Sequence, residues 1–187
     1  MVMQPPTLLT VPVGERDHVA GTTDAPVELV EYGDYECPYC GAAHAVVKEI
    51  QRRLGPDLAF VFRNFPLVSV HPHALVAAEA AEAAGAQGRF WAMHDRLFEN
   101  QHLLDARSLV QHALAVGVPD MERFVADLKD HRFVPRIRDD LASGARSGVN
   151  GTPTFFVNGV RHEGGYDAAS LTQALLAARV HAARASQ

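Results

Sequence analysis

An α/β core, interrupted in sequence by a helical insertion, is the fold class this sequence predicts. Three observations carry it: a strand, a helix and a strand in succession between residues 26 and 66; a hairpin followed by a helix at the carboxyl end; and helical periodicity almost throughout residues 72–147 between them. The chain has 187 residues, 48% of them hydrophobic, enough to bury one substantial core without disulfide staples.

Residues 27–32 (VELVEY) mix β-branched and aromatic side chains in loose alternation and predict the first strand. A helix is expected from about Pro38, with Val46, Val47, Ile50 and Leu54 forming its apolar stripe and Gly55-Pro56 stopping it. Residues 59–65 (AFVFRNF) read as a buried strand, so the three elements make a βαβ unit with a right-handed crossover. Helices follow at 72–85, 89–100, 106–116, 119–130 and 134–146, each with i, i+3, i+4 apolar spacing, and they are punctuated by Gly85, Gly88, residues 117–119 (GVP) and Pro135. Residues 154–157, the dipeptide Asn158-Gly159 and residues 160–163 predict a hairpin around a type I′ turn. The last helix starts near Asp167, a good N-cap, and aligns Leu171, Leu175 and Ala178 on one face.

The formal net charge of -5 offers no attraction to nucleic acid or to an anionic membrane surface, so neither is expected as a partner. No window approaches the length of a transmembrane helix. The opening stretch, MVMQPPTLLTVPVGERD, lacks a positive n-region and its apolar part is interrupted by Pro12. A cytoplasmic location is therefore expected, or a periplasmic or extracellular one if an export signal precedes this chain. The sequence contains no G-x-G-x-x-G, P-loop, G-x-S-x-G or H-E-x-x-H motif.

The chemistry concentrates in YECPYCG, residues 35–41, which hold the chain's 2 cysteines, Cys37 and Cys40. At a strand-to-helix junction this spacing puts Cys37 at the helix start. There the first-turn N–H groups and the positive end of the macrodipole favour thiolate over thiol. Cys37 is then the nucleophile. Cys40, one turn later, is placed to form a disulfide with it and to resolve a mixed disulfide by intramolecular attack. Pro38 sits early in the helix, where its missing N–H costs little. Two other readings stay open: a pair of buried small hydrophobes, and a zinc site using Cys37, Cys40 and His44, which lacks a second C-x-x-C to complete a thiolate shell. No metal and no bound cofactor are expected. His44 reads as a solvated helix residue, His94 as a packed, hydrogen-bonded one beside Phe90 and Phe98, and His71 and His73 as markers of a helix start around Pro72. Arg132, Arg136, Arg138 and Arg146, interspersed with Asp139 and Asp140, read as a solvated helix face.

The ordered set DAPVELVEYGDYECPYCG, FRNFPL, HPHA, GRFWAMHDRLF and GTPTFFVNG resembles the DsbA-like branch of the thioredoxin superfamily, thiol:disulfide oxidoreductases, from about Asp17 to about Ala178. The resemblance implies a thioredoxin-like core at 25–66 and 148–187, an inserted all-helical domain at 67–147 and an N-terminal extension at 1–24. It implies that Cys37 attacks and Cys40 resolves. It further implies a cis Thr152-Pro153 bond facing the sulfurs, where the Thr152 backbone pairs with an extended substrate peptide and Pro38 and Tyr39 contribute to substrate binding; a plain strand-initiating proline is the alternative. Glu31, six residues before Cys37, matches an acidic position of the family. Burial would disfavour its charged form and let it exchange protons with Cys40; a salt bridge or an edge position is the alternative.

Pro38-Tyr39 is the glutaredoxin dipeptide, whereas strongly oxidising relatives place a histidine second. Asp34 and Glu36 add negative charge that opposes a thiolate. The expected reduction potential therefore lies between about -270 mV, as in thioredoxin, and about -120 mV, as in DsbA. The implied partners are proteins bearing thiols or disulfides, with glutathione or a thioredoxin-type protein as redox partner; the direction, oxidation or reduction, stays open. A redox-sensing or peptide-binding module without turnover, or a metal-bridged dimer through the cysteines, is the alternative function.

Overall fold

A computed structural model describes residues 6–185. The first five residues of the opening stretch read for export, and residues 186–187 of the expected core, lie outside the described residues. The elements are β1 (His18–Ala20), β2 (Val27–Gly33), α1 (Pro38–Leu54), a 3₁₀ turn (Gly55–Asp57), β3 (Leu58–Asn64), α2 (Ala74–Gly85), α3 (Phe90–Glu99), α4 (Ala106–Ala115), α5 (Met121–Lys129), α6 (Val134–Arg146), β4 (Thr154–Val157), β5 (Val160–Arg161) and α7 (Ala168–Ala185). They divide into two compact units. Among the described residues, one holds 6–32, 43–63 and 143–185; the other holds 33–42 and 64–142. Both cysteines thus group with the helical unit, whereas the sequence reading sets the limit between residues 66 and 67.

The first unit is built on a sheet with strand order β1-β3-β2-β4-β5. β3 is buried along its whole length, as a continuous apolar run requires. β1 runs antiparallel to it, His18 opposite Phe62 and Ala20 opposite Phe60. β2 pairs antiparallel with β4, which sets Glu31 opposite Phe155 and Tyr32 opposite Thr154. Asn158 and Gly159 both have positive φ, 45° and 76°, as a primed hairpin turn demands. The Asn158 side chain also accepts the Glu28 N–H at 2.7 Å, anchoring the turn to the start of β2. The second hairpin strand stops at Arg161, short of the expected residue 163. Asp167 caps α7, its Oδ1 accepting the Ser170 N–H at 3.0 Å, and Leu171 and Leu175 are fully buried.

Arg63 is the exception on β3: a cation only 3% exposed. Its guanidinium donates to both carboxylate oxygens of Asp17 (2.8 and 3.0 Å), to the carbonyls of Val11 (2.9 Å) and Pro12 (3.1 Å) and to Tyr32 Oη (2.9 Å). Tyr32 Oη in turn lies 2.8 Å from Ser143 Oγ. Burial alone would disfavour the charged guanidinium, but these Asp17 and Tyr32 partners raise its pKa further above the ordinary arginine value. The amino-terminal segment, expected to be an extension, is thereby tied to the sheet, and Leu8 bridges Val160 at the opposite edge.

In the helical unit α2 packs against α3, α4 and α5. Its alanines 74, 77, 78, 80, 81, 83 and 84 are buried, and their small side chains let three neighbours approach one helix. Asp105 and Asp120 cap α4 and α5. α2 also buries two carboxylates, each with partners: Glu82 accepts from Asn64 Nδ2 at 2.8 Å and pairs with Arg136 Nε at 2.7 Å, and Glu79 meets His131 Nδ1 at 3.1 Å. The solvated reading of the α6 face is overturned at two positions for this reason. Arg136 neutralises a buried Glu82, and Asp140 accepts the Asn64 backbone N–H at 3.0 Å. His44 is likewise not solvated; it is 8% exposed, because it falls one helical turn from Cys40 and from Val47 on the buried stripe of α1.

Candidate active site

The residues around the cysteines form a self-bonded turn. The Cys37 N–H donates to the Asp34 carbonyl at 3.1 Å, and the Cys37 carbonyl accepts the first α1 hydrogen bond, from Gly41 N–H at 3.1 Å. Cys37 is thus the N-cap of α1, the position whose side chain is nearest in sequence to the open N–H groups of the first turn. Cys40 lies one turn on, and its Sγ accepts the Asp34 backbone N–H at 3.4 Å. The two cysteines are not disulfide-bonded. Both cysteines are buried, Cys37 at 3% exposure and Cys40 at 0%. Between them Pro38 is exposed and Tyr39 is 61% exposed, so the intervening dipeptide faces solvent.

Asp34 organises this turn. Its side chain is fully buried, with Oδ1 accepting the Glu36 N–H (2.8 Å) and Oδ2 accepting the Leu67 N–H (2.8 Å) and His71 Nδ1–H (2.8 Å). Glu36 makes the parallel contact one step out: its carboxylate accepts the His73 backbone N–H at 2.6 Å and His73 Nδ1–H at 2.9 Å. Asp34 and Glu36 therefore do not stand as bare negative charges beside Cys37, as expected from sequence; each faces a histidine of the loop after β3. Burial opposes protonation of His71, but its hydrogen bond to Asp34 and the charges of Asp34, Cys37 and Glu36 raise its pKa above the ordinary 6.5. A folded value above the unfolded one means that this pair stabilises the fold below about pH 6.5, and that the contribution is lost as pH rises through the folded value.

Tyr35, 1% exposed, secures the turn to α3: its Oη lies 3.1 Å from His94 Nδ1 and its ring 4.9 Å from that of Phe98. His94 is the packed histidine the α3 stripe calls for. Gln101 adds a clamp, its Nε2 donating to the carbonyls of Tyr35 (2.9 Å) and Cys37 (2.8 Å). That clamp needs a glycine at 41, since a Cβ there would overlap the Gln101 side-chain oxygen and stand 2.8 Å from its amide carbon. Alanine normally gains about 1 kcal/mol over glycine inside a helix. Gly41→Ala is nevertheless expected to destabilise by about 1 kcal/mol, because displacing Gln101 forfeits two hydrogen bonds of about 1 kcal/mol each. In a Gln101→Ala background the same change should turn stabilising, which a urea double-mutant cycle reads directly.

The other sequence-selected residues belong to the sheet unit. Glu31 is 2% exposed on β2 opposite Phe155, and Thr152 and Pro153 lead into β4 next to it. The Thr152–Pro153 peptide bond is cis. The sequence reading takes His71 and His73 as markers of a helix start, not as site residues, and does not single out Gln101. One signal for the histidines was present: two acidic residues two apart, Asp34 and Glu36, matched by two histidines two apart, 37 residues later.

A family model described as Thioredoxin matches residues 14–177. Among curated proteins, a Na(+)/H(+) antiporter NhaA 1 of Salinispora arenicola is 48% identical over 171 residues, 91% of this chain and 26% of the antiporter. One from Mycobacterium sp. (strain KMS) is 47% identical over 167 residues, 88% of this chain and 27% of the antiporter. The chain spans about a quarter of the length of the curated relatives it matches. Among solved structures, BdbD from Bacillus subtilis superposes with a TM-score of 0.84 at 24% identity, covering 94% of this chain and 100% of that one. A thioredoxin-like oxidoreductase from Silicibacter pomeroyi gives 0.79 at 29% identity, covering 89% and 94%. Wolbachia pipientis alpha-DsbA1 gives 0.80 at 22% identity, covering 96% and 98%.

Proposed function

Because this chain belongs to the thioredoxin family and shares the fold of DsbA-like proteins, we propose that it exchanges disulfides with thiol- or disulfide-bearing proteins through Cys37 and Cys40. The observation that carries this reading is the placement of Cys37 as N-cap of α1 with Cys40 one turn on, the Asp34 backbone bonding to both residues.

In the reducing direction the Cys37 thiolate attacks one sulfur of a substrate disulfide; the Cys37–substrate bond forms, the substrate bond breaks, and the leaving sulfur takes a proton. Cys40, deprotonated, then attacks the Cys37 sulfur, closing the Cys37–Cys40 disulfide and releasing the second substrate thiol. Two electrons pass from the cysteine pair to the substrate, and the oxidising direction is the same path reversed. Glu31 serves as the proton carrier for Cys40, the role its position relative to Cys37 implies, and its near-complete burial suits a group that holds a proton out of water. The Thr152 backbone, next to Pro153, supports the substrate in an extended conformation, while Pro38 and Tyr39 supply the solvent-facing contact surface. Glutathione or a thioredoxin-type protein returns the pair to its starting state. The curated relatives carry transporter names, and the likeness is confined to a quarter of their length.

Two measurements test it. Alkylation of the reduced protein should show Cys37 half-maximally reactive below the ordinary cysteine value of about pH 8.5. Catalytic amounts should also accelerate insulin reduction by dithiothreitol, or oxidation of a reduced test protein, over many turnovers. Ordinary cysteine reactivity with no turnover in either direction would leave the sensor or binding-module reading in its place.

A further inference from the structure

We propose that His71, borne by the loop after β3 instead of the C-x-x-C dipeptide, is the cation that holds Cys37 as thiolate and makes the reduction potential of the pair respond to pH near neutrality. This rests on the oxidoreductase reading above and assigns a positioning residue to it.

Residues 33–42 (GDYECPYCGA) contain no lysine, arginine or histidine, and Asp34 and Glu36 both lie within three residues of Cys37. A thiolate on Cys37 thus finds two carboxylates and no cation among its sequence neighbours. The fold brings in the missing charge. Asp34 Oδ2 fixes the His71 ring at 2.8 Å, while the Asp34 main chain bonds to Cys37 through its carbonyl (3.1 Å) and to Cys40 Sγ through its N–H (3.4 Å). One residue therefore couples the ring to both cysteines. The charged and titratable groups acting on the ring are Asp34, Cys37 and Glu36, and Glu36 is itself engaged by His73. With His71 protonated, the imidazolium balances the Asp34 charge beside the thiolate; with His71 neutral, the Asp34 carboxylate acts on the sulfur unbalanced.

The redox consequence follows by proton counting. Reduction breaks the Cys37–Cys40 bond with two electrons, supplied by two glutathione thiols that leave as one glutathione disulfide. One proton goes to Cys40. The thiolate left on Cys37 makes His71 more basic than it is beside the disulfide, so between the two ring values a second proton settles on His71. Below this window the imidazolium stabilises the reduced form and the couple is more oxidising; above it that stabilisation is lost.

His71→Gln keeps a hydrogen-bond donor for Asp34 and removes the charge. At pH 6 its equilibrium with glutathione should favour the oxidised protein about tenfold more than in the unaltered chain, about 30 mV for two electrons. The difference should shrink and vanish as pH rises through the raised His71 value and the ring loses its proton. The alkylation curve of Cys37 should move up by about one pH unit. His71→Lys should restore the unaltered behaviour at pH 6 and hold it at pH 8. A folded, active His71→Gln protein whose potential matches the unaltered one at every pH overturns the proposal. Should that variant fail to fold, NMR titration of the histidine rings in the unaltered protein decides. A higher His71 value in the dithiol than in the disulfide form supports the coupling; identical values exclude it. The two readings fail differently: loss of the oxidoreductase reading appears as absent turnover, whereas the ring titration reports the His71–Cys37 coupling with or without turnover.

Discussion

Cys37→Ser is expected to reduce disulfide exchange to the uncatalysed rate, a loss of about 10³-fold or more, since the attacking sulfur is the one group no neighbour can replace. Cys40→Ser should behave differently. Cys37 still attacks, but nothing within the molecule displaces the captured thiol, so the mixed disulfide accumulates and turnover stops after one event. Mass spectrometry of each variant after incubation with oxidised glutathione separates them: a single stable adduct on Cys40→Ser and none on Cys37→Ser. Adduct on Cys37→Ser through Cys40 would reverse the assigned roles. The ranking rests on the position of Cys37 as N-cap of α1.

Arg63→Met should lower stability by about 3–5 kcal/mol, the range for leaving one charge of a buried pair without its partner. The variant takes the guanidinium from Asp17, whose side chain is 10% exposed and keeps the Gly14 N–H, and withdraws the donor from Tyr32 Oη and from two carbonyls of the amino-terminal segment. A urea midpoint compared at constant m-value measures the loss. Adding Asp17→Asn should recover part of it, because the stranded charge disappears while the packing deficit remains. A loss under about 1 kcal/mol would show that the pair is better solvated than its burial indicates. The effect should fall on the fold and leave the Cys37 alkylation profile of the folded protein unchanged, as the bonds of Arg63 among the described residues lie within the sheet unit.

The long helices were legible because their apolar periodicity and caps are local: the expected 72–85 and 134–146 meet Ala74–Gly85 and Val134–Arg146, and Asn158-Gly159 forces its own turn. β1 was not legible. Three residues, His18–Ala20, carry no period, and they become a strand only because β3 offers an edge 40 residues on, His18 against Phe62 and Ala20 against Phe60. At the site the same division holds. The cysteine spacing announces itself within seven letters, whereas Gln101, 64 residues from the Cys37 carbonyl it holds, has no mark in its own neighbourhood.

What the sequence by itself determined is whatever depends on neighbours within a turn or two: the helix beginning at Pro38, the two sulfurs one turn apart, and the α/β class with helices inserted. What only the tertiary structure decided is charge. Asp34 and Glu36 read as acids that oppose a thiolate, and Arg136 and Asp140 as solvated ions. In the fold each is engaged by a group from a distant segment, His71, His73, Glu82 and Asn64 respectively. The physical reason is that the state of an ionisable group is set by its solvation and nearest charges, and those come from chain packing across tens of residues.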